Sequence, residues 1–201
     1  MKGQILLIGF SCTGKTYLSR KALEGKSIDS DILVRERVGK KLGRQFDHIY
    51  KFYIEIGRVK ANQEIEQAET SIIADLIEDS NYKIISLGPG FPLRPNWPIL
   101  RDKSSVILFK RSAKGIYDGF IKRRSKIFQA CSKARESDNW DVRIIVDENR
   151  KEYPREQAIK NIKRTIKERE RGYNDNDFII DTDDQEAAIE KLREFYRKND
   201  C

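Results

Sequence analysis

The chain has 201 residues, 40 Lys and Arg against 32 Asp and Glu, a formal charge of +8 and 38% hydrophobic residues. That length suits one compact α/β domain over 1–201, with a sizeable core and little room for a second domain. No apolar run approaches the roughly 20 residues that cross a bilayer, and a mean hydropathy of −0.68 fits many solvated helices, so no membrane association is expected. The apolar stretch within Met1–Gly9 is too short for a secretory signal. Cys12, Cys131 and Cys201 match neither a disulfide framework nor a zinc site. Both features imply a reducing, cytoplasmic setting.

In chain order, Ile5–Ile8 is an apolar run ending at Gly9, and a Gly-containing turn leads into a helix over Lys15–Leu23. Ser27–Ile28 suits a short second strand, and Asp31–Leu42 has helical spacing. Between Ile49 and Asp79, apolar residues such as Phe52, Ile56, Ile65 and Ile72 recur at intervals of three and four, which predicts one or two amphipathic helices. The lone histidine, His48, reads most simply as a polar residue opening this stretch. Lys83–Leu87 and Ser105–Phe109 are buried-strand patterns, too short for helices. Ser112 suits the cap of a helix through Ile121, and Pro154 the first turn of a charged helix to about Arg171. Phe178–Ile180 gives a last strand and Gln185–Arg197 a last helix. The alternation predicts βαβ units and a five-stranded parallel sheet covered on both faces. Arg143–Val146 is also strand-like: it belongs either to an insertion, the preferred reading, or to the sheet as its last strand.

From Gly119 to Tyr173 sixteen Lys and Arg stand against nine Asp and Glu, so this stretch carries +7 of the total charge. Such a concentration suits a polyanion, whether a nucleotide, an acidic metabolite or RNA, and equally the solvated faces of helices.

The strongest motif is Gly9-Phe10-Ser11-Cys12-Thr13-Gly14-Lys15-Thr16, a full G-x-x-x-x-G-K-[ST] between a predicted strand and helix. Its amides and the helix N-terminus favour phosphate, with Lys15 reaching the β and γ phosphates and Thr16 the Mg²⁺ ion. Ser11 to Thr16, with Tyr17 following, are the candidate nucleotide-binding residues. Cys12 takes a free position, as a small residue that fits or as a thiolate favoured by the helix end.

With Asp29-Ser30-Asp31 twelve residues further on, the sequence resembles the shikimate kinases. The matching features are the phosphate loop, the aspartate pair, Ile84–Gly90, and Arg169 with Tyr173 ahead of Phe178–Thr182. The resemblance implies a three-layer P-loop kinase fold and an ATP- and Mg²⁺-dependent enzyme that phosphorylates a hydroxyl of a small, anionic metabolite. It makes Asp31 the residue that holds the hydroxyl and takes its proton, and gives Asp29 a water-mediated share of Mg²⁺. It points to Gly88, Pro89, Gly90 and Arg169 as substrate contacts. An aspartate pair at a helix start is also a common N-cap.

Three departures stand out. Where that family carries a substrate-binding arginine this chain has Asn62, and Arg58, one helical turn earlier, either replaces it or is a surface charge. The family's glycine triplet has become Gly88-Pro89-Gly90, losing one backbone donor. The lid, about 119–152, is enlarged and basic, with Arg123 or Arg124 expected to cover the phosphates and Trp140 available to stack on a base. A kinase acting on a nucleotide or RNA end through this lid, and a non-catalytic ATP-binding regulator, are the alternatives.

Overall fold

The computed structural model describes residues 4–23, 27–78, 83–132, 144–145 and 151–199. In order the elements are β1 (Gln4–Ile8), α1 (Lys15–Ala22), β2 (Ser27–Asp29), α2 (Ser30–Leu42), α3 (Tyr50–Ile56), α4 (Arg58–Glu78) and β3 (Ile84–Ser86). A 3₁₀ turn (Phe91–Leu93), α5 (Trp97–Lys103), β4 (Ser104–Lys110), α6 (Ala113–Ser132), α7 (Arg155–Tyr173), β5 (Phe178–Asp181) and α8 (Gln185–Asn199) follow. The five strands are parallel, in the order β2-β3-β1-β4-β5.

The sheet is covered on both faces, which is why its central strands read as unbroken apolar runs. The two-residue period of β1 sends Leu6 and Ile8 to one side, where they meet Ile85, Val106, Val34 and Val38 of α2, and Ile72 and Ile73 of α4. Ile5 and Leu7 go to the other, against Ile84, Ile107, Ile180, Leu18 of α1, and Leu192 of α8. Each such side chain contributes roughly 1.5–3 kcal/mol on full burial. A third cluster joins Phe10 and Cys12 to Ile116, Phe120, Ile144, Ile145, Ala158 and Ile162.

Helix and strand positions follow the sequence reading closely; two readings left open are decided and two differences appear. The Ile49–Asp79 stretch is two helices, because Gly57 takes φ 74° and ψ 163°, a conformation essentially reserved for glycine. Ile144 and Ile145 form a helical turn outside the sheet, whose last strand is Phe178–Asp181; Arg143 and Val146 lie outside the described residues. The Ser112 hydroxyl accepts from Gly115 N at 3.0 Å as a cap should, but α6 continues past Ile121 to Ser132. The prolines after β3 hid the 3₁₀ turn and α5, where Pro sits in the first turn, a position that needs no amide donor. Among the described residues, no helix is long and apolar enough to cross a membrane.

Candidate active site

Parallel sheets bind ligands beyond the carboxyl ends of their strands, where successive crossovers diverge. Here β1 is followed by a crossover to one side and β4 lies on the other. Leu7, Ser86 and Asp29 stand level across β1, β3 and β2, so the loops after these three neighbouring strands emerge together.

The loop after β1 turns at Gly9, whose φ is 141° and where a Cβ would sit 2.4 Å from Phe109 O. Thr13 is buried and donates to Phe10 O at 2.8 Å, tightening the loop from within. Lys15 Nζ donates to Gly9 O at 2.8 Å and Phe10 O at 3.0 Å, which fixes the ammonium at the loop. Cys12 is buried at φ 64°, and its carbonyl accepts from Arg111 Nη1 at 3.0 Å. Arg111 Nε also lies 3.7 Å from Asp183, which ties the outer side of the loop to the turn after β5.

The three residues after Ile28 divide the work. Asp29 accepts from Thr16 Oγ1 at 2.5 Å and, as N-cap of α2, from Asp31 N at 3.0 Å. Ser30 is fully buried and accepts from Gly88 N at 2.8 Å, fastening β2 to the loop after β3. Asp31 is exposed and looks across at Gly88, where a Cβ would stand 3.4 Å from its Oδ1. The cap and the catalytic candidate are thus two different aspartates.

A single cleft of about 460 Å³ is lined by Ser11, Cys12, Gly14, Lys15, Thr16, Tyr17, Asp29, Asp31, Gly88, Pro89 and Arg123. All were selected from the sequence. The same wall contains Arg20, Arg35, Asp47 and His48, which were not. Arg35 had a readable signal, since it follows Asp31 by four residues on α2 and so shares its face. His48 had none beyond being alone.

Other candidates lie apart from that lining. Arg58 opens α4 and is exposed. Arg169 is half-buried, its guanidinium 5.4 Å from the centre of the Phe10 ring. Gly90 backs onto Glu69, whose Oε2 lies 2.8 Å from where a Cβ would be. The side chain of Arg124 and the whole of Trp140 lie outside the described residues.

Behind the Gly88–Gly90 turn, Glu69 is buried and accepts from Arg94 Nε at 2.6 Å, while Arg94 Nη1 lies 2.8 Å from Glu66. Burial pushes the Glu69 carboxyl above its ordinary value and outweighs the attraction of Arg94. Arg94 is therefore engaged within the fold.

No protein-family model matches the sequence, and no curated protein does. The fold and phosphate loop define a P-loop α/β protein. More narrowly, the chain has the fold of the shikimate kinases. It is similar to the enzyme from Acinetobacter baumannii, solved in complex with shikimate, over 98% of this chain and 94% of that one, with 18% identity and a TM-score of 0.64. It is also similar to shikimate kinase from Bacteroides thetaiotaomicron, over 96% and 98% of the two chains (16% identity, TM-score 0.62). The Aquifex aeolicus enzyme is similar over 98% and 97% (18% identity, TM-score 0.54).

Proposed function

We propose that this chain is a shikimate kinase-like phosphotransferase that moves the γ-phosphoryl group of ATP to a hydroxyl of a small, anionic metabolite. The observation that carries the reading is the shared cleft: the phosphate loop and Asp31 line the same cavity. Phosphoryl transfer is catalysed mainly by positioning and charge neutralisation. Lys15 supplies charge at the β and γ phosphates. Asp31 orients the acceptor hydroxyl and takes its proton, the Gly88–Pro89 turn walls the acceptor, and Arg123, with Arg124 beside it in sequence, covers the transferring group.

The residues fit Mg²⁺. Thr16 and Asp29 offer two hard oxygens 2.5 Å apart at the end of the phosphate loop, and Mg²⁺ carried on a triphosphate needs only one or two protein ligands besides water and phosphate. When bound, the ion would offset the negative charge of the triphosphate during transfer. A cleft of about 460 Å³ has the size of a small-molecule site. On this reading the chain is one cytoplasmic domain with 119–152 as its lid.

The test is ATP consumption against pooled hydroxy metabolites and short RNAs, with wild type, Lys15→Ala and Asp31→Asn side by side. Turnover with a metabolite pool, lost in both variants, is expected. Turnover with RNA ends alone would move the acceptor to nucleic acid. ATP binding without transfer to any pool would leave a regulatory module.

A further inference from the structure

We propose that Arg35 is the acceptor-recognition residue of the cleft, binding an oxyanion, either carboxylate or phosphate, that the acceptor carries a few atoms from its reactive hydroxyl. The inference rests on the kinase reading above and adds the feature by which the acceptor is chosen.

Arg35 lies one helical turn beyond Asp31 on α2, half-buried in the cleft wall. Three of its contacts are already fixed. Nε donates to Asp31 O at 3.2 Å, and Nη1 donates to Phe46 O at 3.3 Å and to Asp47 O. Nη2 takes part in none of these bonds. A guanidinium held on one edge keeps its planar fork oriented and loses little further freedom when the other edge meets an oxyanion. His48 lines the same wall.

Arg123 also lines the cleft but is assigned to the transferring phosphoryl group, and three further arginines are placed elsewhere. Arg94 is engaged by Glu66 and Glu69, and neither Arg58 nor Arg169 lines the cleft. Three carboxylates line the same wall, and Asp29 among them is bonded to Thr16. Asp47 is bonded to Lys51 at 2.5 Å, which offsets its charge, and Asp31 is the group assigned to the hydroxyl. Side chains four apart on a helix have Cβ atoms about 5–6 Å apart, so hydroxyl and oxyanion must be close on one compact molecule. That describes a short hydroxy acid or a phosphorylated polyol and disfavours a neutral sugar.

The protein has a single histidine, so its imidazole proton signal is an unambiguous reporter in this wall. The experiment saturates the protein with Mg²⁺ and a non-hydrolysable ATP analogue, titrates orthophosphate as the probe, and follows His48 by proton NMR at fixed pH. Wild type should show a saturable shift. Arg35→Met should weaken orthophosphate roughly tenfold or more, the change expected for a lost charge-assisted hydrogen bond, and Arg35→Lys should recover part of it. Unchanged affinity for the ATP analogue shows that each variant is folded.

A wild-type signal that does not saturate, or equal titrations for wild type and Arg35→Met, overturns the proposal. In turnover, Arg35→Met should raise KM for the preferred anionic acceptor by a similar factor with little change in kcat, and comparing hydroxy acids with phosphorylated polyols tells carboxylate from phosphate. A KM effect that appears in Arg58→Met instead also overturns it. If the titration behaves as expected but no acceptor is turned over, the kinase reading fails and the anion site stands.

Discussion

The two ends of the cleft are built differently. The phosphate end comes from one contiguous stretch, Gly9–Thr16, whose geometry is set by its own backbone and by a few outside bonds such as Arg111 to Cys12 O. The end proposed for the acceptor is assembled from Asp31 and Arg35 on α2, His48 ahead of α3, and Gly88 and Pro89 after β3. Its parts are held by long-range contacts: Gly88 N to Ser30, Arg35 to Phe46 O, and Arg94 to Glu69 behind the turn. A local loop can retain its chemistry while the surrounding chain changes, whereas a wall of three segments can change ligand through one substitution. The phosphate loop therefore states its ligand more plainly than the acceptor wall does.

The first way to break this contrast is at the phosphate end. Lys15→Ala should lower kcat by roughly 10²–10³-fold, the usual cost of removing one preorganised donor from a charge-developing site, and should weaken MgATP. Steady-state kinetics and nucleotide titration check both. Retained activity would mean that the loop does not hold the donor.

The loop also depends on α6. A Cβ added at Gly119 would lie 2.8 Å from Cys12 Cβ, and neither atom is the end of a flexible side chain. Gly119→Ala should cost about 1–3 kcal/mol by overpacking and reduce nucleotide affinity. Denaturant unfolding and nucleotide titration read the two effects.

Away from both ends, Arg101 is paired with Asp175 at 2.9 Å and Asp177 at 2.8 Å, and its own side chain is largely buried. Arg101→Met should cost about 1 kcal/mol, near the upper end for pairs with an exposed partner. Turnover should stay as it was.

The smallest expected effect lies behind the acceptor turn and has a defined sign. Because the folded Glu69 carboxyl titrates above its ordinary value near 4.5, the native state binds more protons than the unfolded state in the window that opens there. Stability from this group therefore falls as pH rises through that window. Glu69→Gln removes the titration, so Tm of wild type minus Tm of the variant should decrease as pH is raised from about 4.5. An increase would mean that the Arg94 pairing outweighs burial.

Much of the architecture was legible because apolar runs and helical spacings are local signals. Ile5–Ile8 and Ser105–Phe109 fall within β1 and β4, Lys83–Leu87 contains β3, and the phosphate loop sits between strand and helix as its motif requires. The later part of α6 was masked by Lys and Arg, which dilute an apolar period without preventing a helix. The acceptor wall was the least legible part. Arg58 was suggested by its sequence distance from Asn62, but spacing along a helix cannot say whether that face meets the cleft. The Arg94–Glu69 pair could not be read from sequence, since the two lie 25 residues apart and meet only after folding. Arg35 was within reach of the sequence through its four-residue spacing from Asp31, but that spacing does not say that this face of α2 meets the cleft.

The central claim is that the phosphate loop and Asp31 serve one transfer reaction. It is tested most directly by following radiolabelled γ-phosphate from ATP into the metabolite pool, with wild type and Asp31→Asn at matched nucleotide occupancy. The account predicts that Asp31→Asn binds MgATP as wild type does but transfers label roughly 10²–10⁴-fold more slowly, the range for loss of a positioned general base. Label transfer by Asp31→Asn at the wild-type rate would contradict it.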